Sequence, residues 1–182
     1  MGDVTVIEHR YRVDLRKLRS PFELYGAISR VLPDAHGAGW AIAPAGPGFV
    51  IRGPERAPKI ERLFVGGSWQ DVVLVQSLAL APARHMRARC VVVRLTDGAP
   101  VTPRDFRRVV EEHVAARGRA LGVRVELGRP TGVRVHGQFI RGFEAHAVAH
   151  SDAASLALMR EGVGGKRSMG CGVFFAVGQP WR

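Results

Sequence analysis

The chain has no apolar run near the ~18 residues that a membrane-crossing helix needs. Met1 to Val6 contains no apolar signal-peptide core, and Val6 breaks the myristoylation pattern, so a cytoplasmic protein with no membrane partner is expected. Cysteine is scarce: Cys90 and Cys171 stand far apart and form no C-x-x-C, which fits reduced thiols rather than a disulfide scaffold. Acidic residues are also short, with 16 Asp+Glu against 27 Lys+Arg. Those few are scattered, so no paired carboxylates, H-E-x-x-H or two-metal nuclease centre can be read, and neither metal nor cofactor is expected. No aromatic pair of the kind that stacks single-stranded bases is evident. Low-complexity and linker segments are missing too.

What is present is positive charge. A formal net charge of +11 on 182 residues, with ordinary hydrophobic (46%) and charged (24%) fractions, describes a globular protein suited to a polyanionic partner. Nucleic acid ranks first, and an anionic membrane surface second.

The pattern of elements occurs twice. Val4–Val13 reads as a strand, and Ser20-Pro21-Phe22-Glu23 opens a helix with a capping box and Pro at its first position. Leu24, Ile28, Val31 and Leu32 continue that helix to about Leu32. A loop over Pro33–Gly39, strands near Trp40–Ile42 and Phe49–Ile51, a short helix over Lys59–Phe64 stopped by Gly66-Gly67, and a strand at Val72–Val75 complete the first set. In the second set, a strand from His85 to Leu95 leads to a helix opened by Thr102-Pro103, with Phe106, Val109, Val110, His113 and Val114 as its buried stripe. Val123–Val135, kinked at Pro130, turns at His136-Gly137-Gln138 into a strand from Phe139 to His150. Ser151 caps a last helix, and Gly172–Val177 is the last strand. The expected fold is α+β, two tandem ferredoxin-like βαββαβ units with antiparallel sheets, residues 1–81 and 82–182.

Between the last helix and last strand lies Glu161-Gly-Val-Gly-Gly-Lys-Arg-Ser-Met-Gly-Cys-Gly172. Gly162 can end the helix as its left-handed cap. Gly164, Gly165, Gly170 and Gly172 allow close backbone approach, with Lys166 and Arg167 between them, so the run reads either as a phosphate cradle or as a basic connector. It is not a P-loop, because it follows a helix and opens a strand.

This loop near the C-terminus resembles the signature of the CRISPR-associated repeat-processing endoribonucleases of the RAMP superfamily. The run from Gly164 to Phe174 is similar to the Myxococcus-type subgroup. The resemblance covers the architecture of nearly the whole chain, but only the loop in motif. It implies metal-independent cleavage within CRISPR repeats by attack of a ribose 2′-OH, which leaves a 2′,3′-cyclic phosphate and mature guide RNA. Its implied partners are precursor and mature repeat RNA and subunits of a CRISPR effector complex.

The resemblance assigns a catalytic imidazole to His36, in the loop after the first helix, with Lys166 and Arg167 at the scissile region. Gly162, Gly164, Gly165, Ser168, Gly170 and Gly172 would contact RNA. Arg129, Arg134 and Arg141, with Arg124, line a strand pair able to hold a stem by its phosphates. Tyr25 on the first helix reads as a core aromatic, and His113 as a core histidine. His146 and His150 would stand ~13 Å apart along a strand, too far to share a metal, and they are the alternative imidazoles. Two rivals remain: a non-cleaving RNA-binding RAMP subunit, and an unrelated ferredoxin-like ligand-binding protein.

Overall fold

The computed structural model describes residues 5–16, 18, 20–32, 38–93 and 102–178. It forms two antiparallel four-stranded sheets, each backed by helix. In the first unit β1 (Ile7–Arg12), α1 (Pro21–Val31), β2 (Ala41–Ala45), β3 (Gly48–Arg52), β4 (Arg62–Val65), β5 (Ser68–Asp71) and β6 (Val73–Ala79) follow in order. The second unit has β7 (His85–Val91), α2 (Pro103–Ala120), β8 (Val123–Val135), β9 (Gln138–Ala149), α3 (Asp152–Glu161) and β10 (Phe175–Ala176). Sheet orders β2-β3-β1-β6 and β10-β7-β9-β8 each follow the ferredoxin-like arrangement, with the first strand between the last and the third.

The expected helix over 59–64 is absent; β4 and β5 form a hairpin there instead. Gly66 and Gly67 both have positive φ, 60° and 83°, so they make a two-residue hairpin turn rather than a helix stop. Leu63 and Val65 alternate inward and complete the core under α1. The Ser20 hydroxyl caps α1 by accepting from the Glu23 amide. The Glu23 carboxylate accepts from the Gly66 amide at 3.1 Å, tying the hairpin turn to the helix. Thr102 and Ser151 cap α2 and α3 in the same way. His113 is exposed, contrary to expectation, because Val110, Val114 and Gly118 alone define the fully buried stripe of α2.

Strand β3 is buried along its whole length because both its faces are covered. Phe49 and Ile51 pack under α1 with Tyr11, Leu24 and Ile28. Val50, on the other face, packs with Val173 and Phe175 of the second unit. Fully burying side chains such as Ile28 and Ile51 stabilises the fold by about 2 kcal/mol each. The last strand is shorter than the expected Gly172–Val177, since only Phe175 and Ala176 pair in register with β7. No helix among the described residues is long and apolar enough to cross a membrane.

Candidate nucleic-acid interface

The Gly-rich loop is laced to its own fold. The Gly165 amide donates to the Val92 carbonyl at 2.7 Å, and the Gly172 amide to the Cys90 carbonyl at 2.6 Å, which fixes both limbs to the end of β7. The Val163 amide donates to the Gly172 carbonyl at 3.2 Å and closes the neck. A Cβ on Gly162, Gly164 or Gly172 would lie 2.3 Å from the Gly172 oxygen, 2.4 Å from the Val92 oxygen or 2.0 Å from the Val163 oxygen, respectively. Those three glycines therefore serve close approach of the chain to itself. Gly162 is not in the left-handed helical region: φ 62° and ψ −173° place it in a conformation almost restricted to glycine. Gly165 has no foreign atom nearer than 3.9 Å to its Cβ position, and Gly170 rests on the Ile42 and Ala43 backbone of β2.

At the loop's crest, Arg167–Met169 form a single 3-10 turn that contains Ser168, entered through Lys166 in a left-handed conformation. Lys166 is exposed. Arg167 is turned inward: its guanidinium donates to the Arg160 carbonyl at the end of α3, and burial lowers its pKa. Of the two loop cations, Lys166 is thus the one presented outward. Cys90 and Cys171, distant in sequence, meet in one buried cluster with Val92, Val133, Val135 and Met169. Their mutual hydrogen bond and burial hold the Cys171 thiol in its protonated form.

Helix α1 of the first unit closes over this cluster through Phe22 and Tyr25. Tyr25 is therefore a packing aromatic at the seam between units. His36 lies outside the described residues, a few positions beyond the end of α1. The Phe22 ring also meets the His136 ring edge-on at 4.7 Å, so the tip of the β8–β9 hairpin stands beside α1. His136 (φ 47°) and Gly137 (φ 80°) make that turn.

A bulge governs which arginines of the hairpin act together. Leu127 pairs with Ala145 and Pro130 with Phe143, so β8 carries one extra residue between them and its faces exchange. Before the bulge, Val123 and Val125 face α2; beyond it, Val133 and Val135 face the Gly-rich loop. By register Arg134 lies opposite Phe139 and Arg141 opposite Gly132, which puts Arg134, Arg141 and the 59%-exposed Phe139 on one outward face. Arg124 lies on the opposite face, and Arg129, at the bulge, is held by Glu144 at 3.1 Å. His146 is an exposed strand residue flanked by Arg87 and Glu126, and His150 follows the end of β9.

Reading the sequence alone missed Arg52 entirely. It is buried between the units, paired with Glu8 and bonded to backbone of the second unit. Nothing in its local sequence sets it apart from the other arginines of the chain.

The family model described as Cas6 Crispr matches residues 59–179. A comparison with curated proteins finds no match. Among solved structures, the chain is similar to the CRISPR endoribonuclease Cse3 bound to 19-nucleotide RNA, with 16% identity and a TM-score of 0.58, covering 96% of this chain and 98% of that one. It is also similar to Thermus thermophilus Cse3 bound to an RNA representing a pre-cleavage complex, with 19% identity, TM-score 0.53, and 94% and 97% covered. A Cas6-related protein of Pyrococcus furiosus aligns at 14% identity and TM-score 0.52, over 96% and 99% of the two chains. At these identities the likeness concerns the fold.

Proposed function

Since this chain belongs to the Cas6 family of CRISPR proteins, we propose that it is an endoribonuclease that cuts CRISPR precursor RNA within each repeat. The observation that carries this reading is the meeting of α1 with the Gly-rich loop. Phe22 and Tyr25 from one end of the chain pack with Met169 and Cys171 from the other, so helix α1 and the loop holding Lys166 belong to one locality. The solved relatives whose names include bound RNA support RNA as the partner.

In this mechanism the ribose 2′-oxygen attacks the adjacent phosphorus as the bond to the 5′-oxygen breaks. The products are a 2′,3′-cyclic phosphate and a 5′-hydroxyl. His36 removes the 2′ proton or protonates the leaving oxygen. Lys166 neutralises charge that develops on the phosphate. Arg167 keeps the loop against α3 and reaches RNA only by releasing the Arg160 carbonyl. Arg134 and Arg141 hold the repeat by its phosphates, and Phe139 offers a flat apolar surface beside them. Gly165, Ser168 and Gly170 border this path. The loop sequence supports the Myxococcus-type subgroup. A cytoplasmic site of action and contact with effector subunits belong to the same reading.

Metal independence is part of the proposal. Its support is that no three His, Cys, Asp or Glu side chains among the described residues gather as a metal site. The test is incubation with repeat RNA in excess EDTA, beside a substrate carrying a 2′-deoxy sugar at the cut site. The normal substrate should be cut, and the deoxy substrate bound but left intact. Cleavage lost in EDTA and restored by magnesium would remove the metal-independent mechanism. Binding without cleavage under either condition would replace this reading with a non-cleaving RNA-binding subunit, and absence of binding would remove RNA altogether.

A further inference from the structure

Arg52 lies on the face of β3 turned toward the second unit and is 2% exposed. Its Nε donates to Glu8 Oε2 at 2.8 Å, and its Nη2 stands 2.8 Å from the same carboxylate oxygen. The other arm crosses the seam: Nη1 donates to the Phe174 carbonyl at 2.6 Å and to the Met159 carbonyl at 3.4 Å. The guanidinium also lies over the Phe175 ring, 4.3 Å from its centroid. Glu8 is shared, because its other oxygen accepts from Arg10 Nε at 2.8 Å.

The two carbonyls have a telling position in the chain. Met159 is in the last turn of α3, with only Arg160 between it and the Gly-rich loop, and Phe174 follows the loop with only Val173 between. One side chain of the first unit therefore holds both stems of a loop that belongs to the second. Burying a charge only to join two sheets would be a poor device, since apolar packing serves as well. A planar fork that meets two carbonyls and a carboxylate at once does something packing cannot, which is to set position and orientation together.

We propose that Arg52 is a positioning residue that clamps the stems of the Gly-rich loop and thereby sets where Lys166 stands relative to α1. Its consequence for cleavage rests on the endoribonuclease reading; the clamp itself does not.

The test separates these two parts. A Glu8→Met/Arg52→Met double variant removes both buried charges while keeping side-chain bulk, and Arg10, partly exposed, returns to water. Arg52→Lys keeps an ion pair with Glu8 but has no fork to span the two carbonyls, and it serves if the double variant fails to fold. Amide exchange at Gly165 and Gly172 is measured without RNA, and RNA affinity and single-turnover cleavage at saturating RNA are measured separately. In the folded double variant both amides should exchange at least ~10-fold faster. Saturated cleavage should fall by roughly 10–100-fold, as expected for a misplaced catalytic group, while affinity changes by less than about 3-fold. Arg52→Lys should give intermediate values for both. Exchange at the wild-type rate would overturn the clamp. Faster exchange with an unchanged cleavage rate would overturn the positioning role. If the wild-type chain cuts no repeat RNA, the endoribonuclease reading fails, and the exchange data still decide the clamp.

Discussion

Substituting Gly172→Ala should unfold the neck of the Gly-rich loop, whereas Gly165→Ala, seven positions earlier, should leave the fold intact. Gly172 has φ 66°, and a Cβ there would stand 2.0 Å from the Val163 carbonyl oxygen. A side chain in this left-handed region costs about 1–2 kcal/mol. The overlap can be relieved only if the backbone moves, which breaks the bonds from the Gly172 amide to Cys90 and from the Val163 amide to Gly172. Each bond contributes about 1 kcal/mol net, so the total destabilisation is about 3–4 kcal/mol. For a chain of this size each kcal/mol lowers the melting temperature by about 2–4 °C, which predicts a fall of roughly 6–16 °C. Gly165 has an ordinary backbone conformation and no foreign atom within 3.8 Å of its Cβ position, its nearest neighbour being the Val92 oxygen at 3.9 Å. Its substitution should change stability by less than ~0.5 kcal/mol. Calorimetry on both variants makes the comparison, followed by RNA binding with the stable one. A Gly172→Ala protein that melts within about 2 °C of wild type would refute the assignment of this glycine to close backbone approach. If RNA approaches the backbone at Gly165, the Gly165→Ala variant should bind more weakly at an unchanged melting temperature.

Two further outcomes concern the RNA. His36→Ala should lower single-turnover cleavage by at least ~100-fold with affinity nearly kept, the usual size of general acid–base catalysis; cleavage at the wild-type rate would transfer the role to His146 or His150. Lys166→Ala should flatten the salt dependence of binding by about 0.7–0.9 of a unit, and Arg134→Ala with Arg141→Ala by about twice that, as expected for one phosphate contact per cation. A salt series showing slopes equal to wild type would remove these three side chains from the interface.

Much of the architecture was legible in residues that act locally. Ser20, Thr102 and Ser151 announce helix starts because a cap is made within one turn. The alternation around His136-Gly137 announces a hairpin because both partners lie within a few residues. Gly66-Gly67 shows the limit of such signals: two glycines can stop a helix or turn a hairpin, and the choice fell to the inward packing of Leu63 and Val65 against α1. The extra residue between Leu127 and Pro130 is equally silent in the sequence, yet it decides that Arg134 and Arg141 share a face while Arg124 does not. The Gly-rich loop could be located from sequence, but its glycines proved to serve contacts with residues 90–92 as well as with each other. Arg52 lies furthest from sequence reasoning. Its partners are Glu8, 44 positions before it, and Phe174, 122 after it, and they meet only when the first sheet packs on the second unit. Chemistry within a turn or a strand is written in neighbouring residues, so the sequence alone determined most of the elements and their order, the hairpin of β4 and β5 excepted. The clamp on the loop depends on burial between two sheets, a property of their mutual packing that only the tertiary structure decides.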